Sequence, residues 1–377
     1  MQLTVQIKLL PSAEEKNTLS RTMRRANESC TWLSHTAFEK QKFRQFDIHK
    51  IAYHGCREAF PDLSAQIVVR CIDKVAQAYK LGQEKPRNFR PYGAITYDER
   101  ILSWKDDTAN IWTVDGRKRI KWVCGDRQRE LLKYPTGQAD LIQRGGQFYM
   151  LVSVNLPDTE ECMISDWLGV DLGVTNIAAT SDGRKAAGNH LNKVRARYFR
   201  IRKRLQKKRT RSAKRLLRKR RRKERNHSNN TNHCIAKWVV GIAERTGKGI
   251  ALEDLKGIRS RIRATRNVRR SLHSWAFSDL ALKIGYKAKL KGIPVCFVDP
   301  RDTSRTCPSC GNVDKKNRKK RDEFRCIACG YSDCADINGA VNIARRAALV
   351  NGPNAPGVDG WTATAKHPDS EVVSRQL

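Results

Sequence analysis

Acidic residues are scarce in this chain. Asp and Glu number 38 against 75 Lys and Arg in 377 residues, a formal net charge of +37. A folded surface with that excess repels itself unless a polyanion lies near it. Nucleic acid fits best, because phosphates accept arginine forks and shed counterions on binding. The bland alternative, a basic surface that is merely soluble, fits poorly with charge so locally concentrated. Long apolar runs are also lacking, so neither a membrane span nor a signal peptide is expected. Disulfide spacing is absent as well. Of twelve cysteines, four form two close pairs, while Cys30, Cys56, Cys71, Cys124, Cys162, Cys234 and Cys296 are scattered. That is the pattern of a reducing compartment with one metal site. The expected location is the cytoplasm, beside the cell's DNA. The length allows two or three domains with real cores.

Leu3, Val5, Ile7 and Leu9 alternate as in a half-buried strand. Pro11 breaks it, and Ser12 with Glu15 is a capping-box start for helical patterning that runs to about Tyr79. Ile67, Val68, Cys71, Ile72, Val75 and Ala78 form one apolar stripe near its end. From about Lys85 to Pro157 the runs Ala94–Tyr97, Ile111–Val114 and Phe148–Val154 are β-rich, with turns at Asp115-Gly116 and Gly145-Gly146. A small antiparallel barrel or sheet is expected, with the helical segment as an insertion. Then come strands over Trp167–Asp171 and Asn176–Thr180, closed by Ser181-Asp182-Gly183. A dense basic run follows from Lys193 to Arg225, whose only acid is Glu224. Val194, Tyr198, Ile201 and Leu205 give its first half a narrow helical stripe. A polar turn over Asn226–Asn232 is expected before a second helix bearing Ile235, Trp238, Val239 and Ile242, the two making a hairpin. Gly249–Glu253 reads as a strand, Leu280–Lys291 as a helix and Ile293–Val298 as a strand, an α/β order. Beyond Val350 the composition is that of a disordered tail.

Cys307-Pro308-Ser309-Cys310 and Cys326-Ile327-Ala328-Cys329 are two CxxC knuckles with fifteen residues between Cys310 and Cys326. Four thiolates on two tight turns suit tetrahedral zinc, and a closed four-cysteine site is structural. Gly311 and Gly330 follow the knuckles, where the turn needs positive φ. A redox pair or chance spacing explains the double pattern poorly. Cys334 lies off the pattern. Lys315, Lys316, Arg318, Lys319, Lys320 and Arg321 between the knuckles fit a solvated loop or a phosphate contact equally well.

Metal-assisted phosphodiester hydrolysis commonly uses carboxylates, and three acids stand in suitable places. Asp171 and Glu253 each end a buried strand, and Asp336 stands at a helix start. Singly, each has a plain alternative. Asp171 could open a turn. Glu253 could be a surface acid, with Asp254 the more interesting neighbour. Asp336 could be an N-cap. Together they are harder to dismiss, because acids on buried strands are costly unless they bind something.

These motifs resemble a known family. Gly169-Val170-Asp171-Leu172-Gly173-Val174 is similar to the first motif of a RuvC-like, RNase H-fold nuclease, and Leu252-Glu253-Asp254-Leu255 to the second. Cys329-Gly330-Tyr331 leading into Asp336-Ile337-Asn338-Gly339-Ala340-Val341-Asn342-Ile343 is similar to the third. The stretch Val298-Asp299-Pro300-Arg301-Asp302-Thr303-Ser304-Arg305-Thr306-Cys307, together with Tyr286-Lys287-Ala288, Leu9-Leu10-Pro11-Ser12 and Ala26-Asn27, resembles the TnpB family. Its members are transposon-encoded, RNA-guided DNA endonucleases related to the compact type V CRISPR effectors. The likeness covers most of the chain, is specific in the last third and is weak across residues 30–160.

The resemblance implies an α+β multidomain chain. A wedge β-barrel would comprise 1–11 and 83–160, with a helical recognition domain at 12–82. An α/β RNase H-like (RuvC) nuclease domain would span 161–350, with a basic helical hairpin at 187–246 and a zinc ribbon at 303–333, before a tail at 351–377. It implies that Asp171, Glu253 and Asp336 hold two magnesium or manganese ions for catalysis. Arg200, Arg202, Lys203, Arg204, Lys207, Lys208, Arg211, Arg215 and Arg218 would line an RNA–DNA channel; the plain alternative is a solvated helix. Guide RNA and double-stranded target DNA are the implied partners, with a monomer favoured and the protein reading a short motif beside the target. The family usually has an acid at the position of Cys334 and Ala at that of Gly339, which marks a divergent branch. Three rivals remain open: a guided repressor that binds without cutting, a recombinase with a Tyr or Ser nucleophile, for which Tyr149 is an isolated candidate, and a nuclease that trims its own guide.

Overall fold

The computed structural model describes residues 1–255 and 277–351, in two units, Met1–Asp158 and Thr159–Leu377. The expected disordered tail lies outside the described residues, apart from its first residue. No described helix is long and apolar enough to cross a membrane.

The first unit begins with β1 (Gln2–Leu9), whose Val5, Ile7 and Leu9 are buried. Each such side chain contributes about 1.5–3 kcal/mol by leaving water. The capping box then starts α1 (Ala13–Glu39): Ser12 Oγ accepts from the Glu15 N–H at 3.2 Å, and Glu15 Oε2 accepts from the Ser12 N–H at 2.7 Å. The helical stretch is interrupted twice, giving α2 (Gln45–Ala59) and α3 (Ala65–Tyr79). The first break holds Gln41 at φ 50°; the second contains Pro61 and ends on the Ser64 cap. Ile67, Val68, Cys71, Ile72 and Val75 are buried as the stripe implied, while Ala78 is only half-buried.

The remaining strands of this unit are β2 (Ile95–Tyr97), β3 (Leu102–Lys105), β4 (Thr108–Thr113), β5 (Gly116–Val123), β6 (Thr136–Arg144) and β7 (Gln147–Asn155). With β1 they form a seven-stranded antiparallel sheet in the order β2-β6-β7-β1-β5-β4-β3. The two edge strands are consecutive in sequence, joined through Asp98–Ile101, and the Tyr97 hydroxyl donates to the Trp112 carbonyl at 3.1 Å. The sheet is thus a nearly closed barrel. Phe148, Met150, Val152 and Val154 of β7 all point into its core. Gly145 and Gly146, at φ 58° and 75°, make the β6–β7 turn that twisted strands require. Sequence reasoning missed α4 (Asp126–Leu131), which is six residues long and buries none of them.

The second unit is built on a five-stranded sheet of β8 (Trp167–Asp171), β9 (Asn176–Thr180), β10 (Lys185–Ala187), β11 (Gly249–Glu253) and β12 (Val295–Val298). The order is β10-β9-β8-β11-β12, with β8, β9 and β10 antiparallel and β8, β11 and β12 parallel. Between β10 and β11 run α5 (Asn189–Lys208) and α6 (Arg211–Thr246). The turn expected at Asn226–Asn232 is not there, and α6 passes through it unbroken. Thr231 returns its hydroxyl to the His227 carbonyl at 2.9 Å, and buried Asn232 gives its amide to Asp279 at 2.6 Å. Side chains so occupied do not compete for the backbone. The break falls instead at Arg209, at φ 52°, before Thr210, whose hydroxyl caps α6 by accepting from the Ala213 N–H.

After β11, α7 (Phe277–Lys289) packs with α6 on one face of the sheet, around Leu168, Val170, Ile250 and Leu252. The short pair β13 (Glu323–Arg325) and β14 (Ser332–Cys334) leads into α8 (Ala335–Asn351). Ile343 and Ala347 of α8 pack on the opposite face, against Trp167, Ala251 and Val298.

Candidate carboxylate and metal sites

Alternation along the strands sorts the acids. Leu168 and Val170 face α6 and α7, whereas Trp167 faces α8, so Asp171 falls on the α8 side. Ile250 and Leu252 face α6 and α7 while Ala251 faces α8, so Glu253 joins Asp171. The parallel register pairs Leu252 with Val170, which makes Glu253 and Asp171 the next neighbours across the two strands. Asp336 stands in the first turn of α8. That helix lies directly on β8: a Cβ on Gly169 would come 1.9 Å from the Ala340 carbonyl oxygen and 2.7 Å from the Ala344 nitrogen. A Cβ on Gly339 would meet Asp171 Oδ2 at 3.1 Å, so the Asp171 carboxylate reaches the N-terminal part of α8.

Burial, with like charge added at Asp171, shows in the protonation equilibria. Burial, then Glu253 and Asp336, push the Asp171 carboxyl up to about 8, with Arg318 opposing. Burial also raises Glu253, opposed by the Thr303 hydroxyl that donates to Glu253 Oε1 at 2.5 Å. Asp336 accepts from Asn176 Nδ2 at 2.9 Å and pairs with the Arg318 guanidinium at 3.5 Å. Glu253 and Asp336 both act by charge on Asp171, but the three carboxylates do not form a closed cage; among the described residues, the group whose ligand atoms all lie within 4.8 Å is the four cysteines. Three hard oxygen donors whose mutual repulsion a cation would relieve fit magnesium or manganese.

The four cysteines do converge. Cys307 and Cys329 lie 3.6 Å apart, sulfur to sulfur, and Cys310 and Cys326 lie 3.5 Å apart. Tetrahedral zinc with bonds of about 2.3 Å has sulfur–sulfur edges of about 3.8 Å, so the cluster could hold zinc. Gly311 and Gly330 sit at φ 75° and 79°. The backbone N–H of Cys329 pulls the Cys326 thiol down, while Cys310, despite the Asn312 backbone N–H, is pushed up by the neighbouring sulfurs, so the four thiols share their protons. Asn317, buried between the knuckles, donates to the Arg305 and Asn312 carbonyls and accepts from the Ile327 N–H. Cys334 lies outside the cluster and accepts from Lys185 Nζ at 2.9 Å.

The basic candidates are scattered more widely. Arg200, Arg202, Lys203, Arg204, Lys207 and Lys208 are exposed on α5, and Arg211, Arg215 and Arg218 are exposed on α6. Of these, Arg202 and Arg218 line a cleft between the two helices, and Arg202 is bonded to Glu224 at 2.7 Å. The others do not line it.

Thr303, Asn176 and Arg318, which hold the acids, were not singled out for that role by sequence. Thr303 sits in the stretch before the first knuckle, and Arg318 is one of six basic residues between the knuckles. Neither position advertises a carboxylate partner locally.

A family model described as the Cas12f1-like TNB domain matches residues 277–343. A CRISPR-associated endodeoxyribonuclease Cas12f1 of Sulfoacidibacillus thermotolerans is 42% identical over 120 residues, 32% of this chain and 27% of that protein. A TnpB-like protein of Methanocaldococcus jannaschii is 29% identical over 170 residues, 44% of this chain and 60% of that one. The chain thus spans less than two thirds of either relative. The solved structure of the mini-RNA-guided endonuclease CRISPR-Cas phi3 matches with a TM-score of 0.54, covering 93% of this chain and 92% of that one; at 11% identity the likeness is one of fold. The family model covers the four cysteines and Asp336 but neither Asp171 nor Glu253, and over the matched stretches the chain is homologous to the TnpB and Cas12f proteins.

Proposed function

We propose that this chain is an RNA-guided DNA endonuclease of a transposable element, with a RuvC-like, RNase H-type nuclease domain in its second unit. The observation that carries the reading is geometric: Asp171 and Glu253 are neighbours across β8 and β11 on the face that α8 covers, and Asp336 opens that helix where it approaches the Asp171 carboxylate. Asp171, Glu253 and Asp336 would hold two magnesium or manganese ions. Bound there, the ions supply an activated water and stabilise the leaving oxygen of a phosphodiester. Thr303 fixes the rotamer of Glu253, and Asn176 and Arg318 fix that of Asp336. The exposed arginines and lysines of α5 and α6 hold backbone phosphates. The four-cysteine site carries structural zinc beside the start of α8. Sequence choice is left to pairing of a guide RNA with one DNA strand, while the first unit reads a short adjacent duplex.

The test is to express the chain with its own flanking DNA, sequence the RNA that co-purifies, and challenge the particle with a plasmid library and magnesium beside an Asp171→Ala variant. Motif-dependent cutting that disappears in the variant supports the reading. Guide-dependent binding without cutting points to a repressor, and the absence of bound RNA overturns the proposal.

A further inference from the structure

The α5–α6 hairpin is not closed along its length. Leu205 and Ala213 are buried near its tip, and Leu191 is buried near its base. Between them the helices part around a cleft of about 830 Å³. Tyr198, Ile201 and Leu217 give the cleft an apolar floor, and Arg218, Arg220 and Arg221 stand along it. Tyr198, Ile201 and Leu217 are each half-buried. An aromatic ring and two aliphatic side chains beneath a rim of guanidinium groups make a poor solvated helix pair. A regular duplex does not match the cleft either, because its bases are stacked inside and offer only phosphates to a protein. One unstacked base flanked by two phosphates matches both the floor and the rim.

Glu224 adds a further constraint. It is the only acid from Lys193 to Arg225, yet it lines this cleft and bonds Arg202 at 2.7 Å. A carboxylate works against phosphate binding. It is useful where the ligand presents a donor, such as a base amino group or a ribose hydroxyl. Gln206 and Ser228 line the same cleft and can also accept from a hydroxyl. The 2′-hydroxyl is the group by which a protein tells RNA from DNA.

We infer that the cleft between α5 and α6 receives one unpaired nucleotide of an RNA, with its base on Tyr198, Ile201 and Leu217, its phosphates on Arg218 and Arg221, and its ribose or base donors toward Glu224. The inference rests on the proposed RNA-guided function and sharpens it: the basic hairpin selects a bulge or loop in the RNA, beyond attracting charge.

Full-length protein freed of RNA would be titrated with three labelled hairpins: one fully paired, one with a single bulged uridine, and one with a bulged deoxyuridine. The uridine bulge should bind roughly tenfold tighter than the paired hairpin, the size of one base–aromatic stack. Tyr198→Leu should erase that preference and Tyr198→Phe should keep it, with helix content by circular dichroism unchanged in both. Arg218→Ala should weaken the uridine bulge more than the fully paired hairpin. Equal binding of bulged and paired hairpins overturns the inference, as does a Tyr198→Leu effect that is the same on both. A deoxyuridine bulge that binds as well as uridine overturns the assignment to RNA. Failure to bind any hairpin takes down the RNA-guided reading itself.

Discussion

The hydroxyl of Thr303 donates to Oε1 of Glu253 across 2.5 Å. The same threonine offers its backbone carbonyl to Asn342 Nδ2 at 2.8 Å. One residue just before the first knuckle therefore ties an acid at the end of β11 to the helix that carries Asp336. Outer partners of metal-binding carboxylates commonly set affinity, so Thr303→Val should weaken manganese binding roughly 10–100-fold. Thr303→Ser should stay close to the parent. Calorimetric titration with manganese, run beside the rate of DNA cutting, separates a loss of binding from a loss of fold.

Gly169 leaves no room for a side chain. Its missing Cβ would fall 1.9 Å from a backbone oxygen of α8, which no rotamer change relieves. Gly169→Ala must push α8 off β8, costing at least about 1–3 kcal/mol by overpacking. Asp336 moves with that helix, so activity should fall further than stability alone explains. Urea unfolding and cleavage measured on the same preparation would show the difference; unchanged stability would mean that α8 does not lie this close.

Zinc removal should be local at first. The ribbon's own core consists of Cys307, Phe324, Cys326 and Ala335, with Tyr331 against it, too little to hold without metal. Cys326→Ser should lower bound zinc from one per chain toward none. Hydrogen exchange should rise first across residues 307–334 while β8, β9 and β11 stay protected. Uniform loss of protection would show that the ribbon and the sheet unfold together.

An acid-sensitive link lies in the first unit. Burial works to raise the Asp98 carboxyl, but Arg70 at 2.6 Å and Gln66 outweigh it and hold the group below the usual range. A depressed folded-state pKa stabilises above the unfolded value of about 3.9, and that contribution is lost as pH falls through the lower folded value. Asp98→Asn should cost about 1–3 kcal/mol at pH 7. The gap between variant and parent should narrow on acidification, as urea midpoints at pH 7 and pH 3 would reveal.

The strands that carry the site were legible in the sequence. Trp167–Asp171, Asn176–Thr180 and Gly249–Glu253 form as read, because a short buried run ending in a polar residue has few other structures open to it. The four cysteines were legible from spacing alone. The helix break was not: Asn226–Asn232 has the composition of a turn, and only the partners Asp279 and His227 show why it stays helical. Lys185–Ala187 is three residues long and leaves no period to detect. The supports of the acids bridge 50 residues from Thr303 to Glu253 and 160 from Asn176 to Asp336. Hydrogen bonds across such separations leave no local pattern.

The corner at Arg209 and Thr210 has a practical consequence. Ile235, Val239 and Ile242 anchor α6 on the sheet at the other end of the hairpin, and both corner residues are exposed. The twenty residues of α5 make an arm of about 30 Å at 1.5 Å per residue. A reporter protein spliced between Arg209 and Thr210 would ride at the far end of that arm, leaving strand register and the carboxylates undisturbed. The corner is a natural graft point, where cargo can be mounted without rebuilding the sheet beneath it.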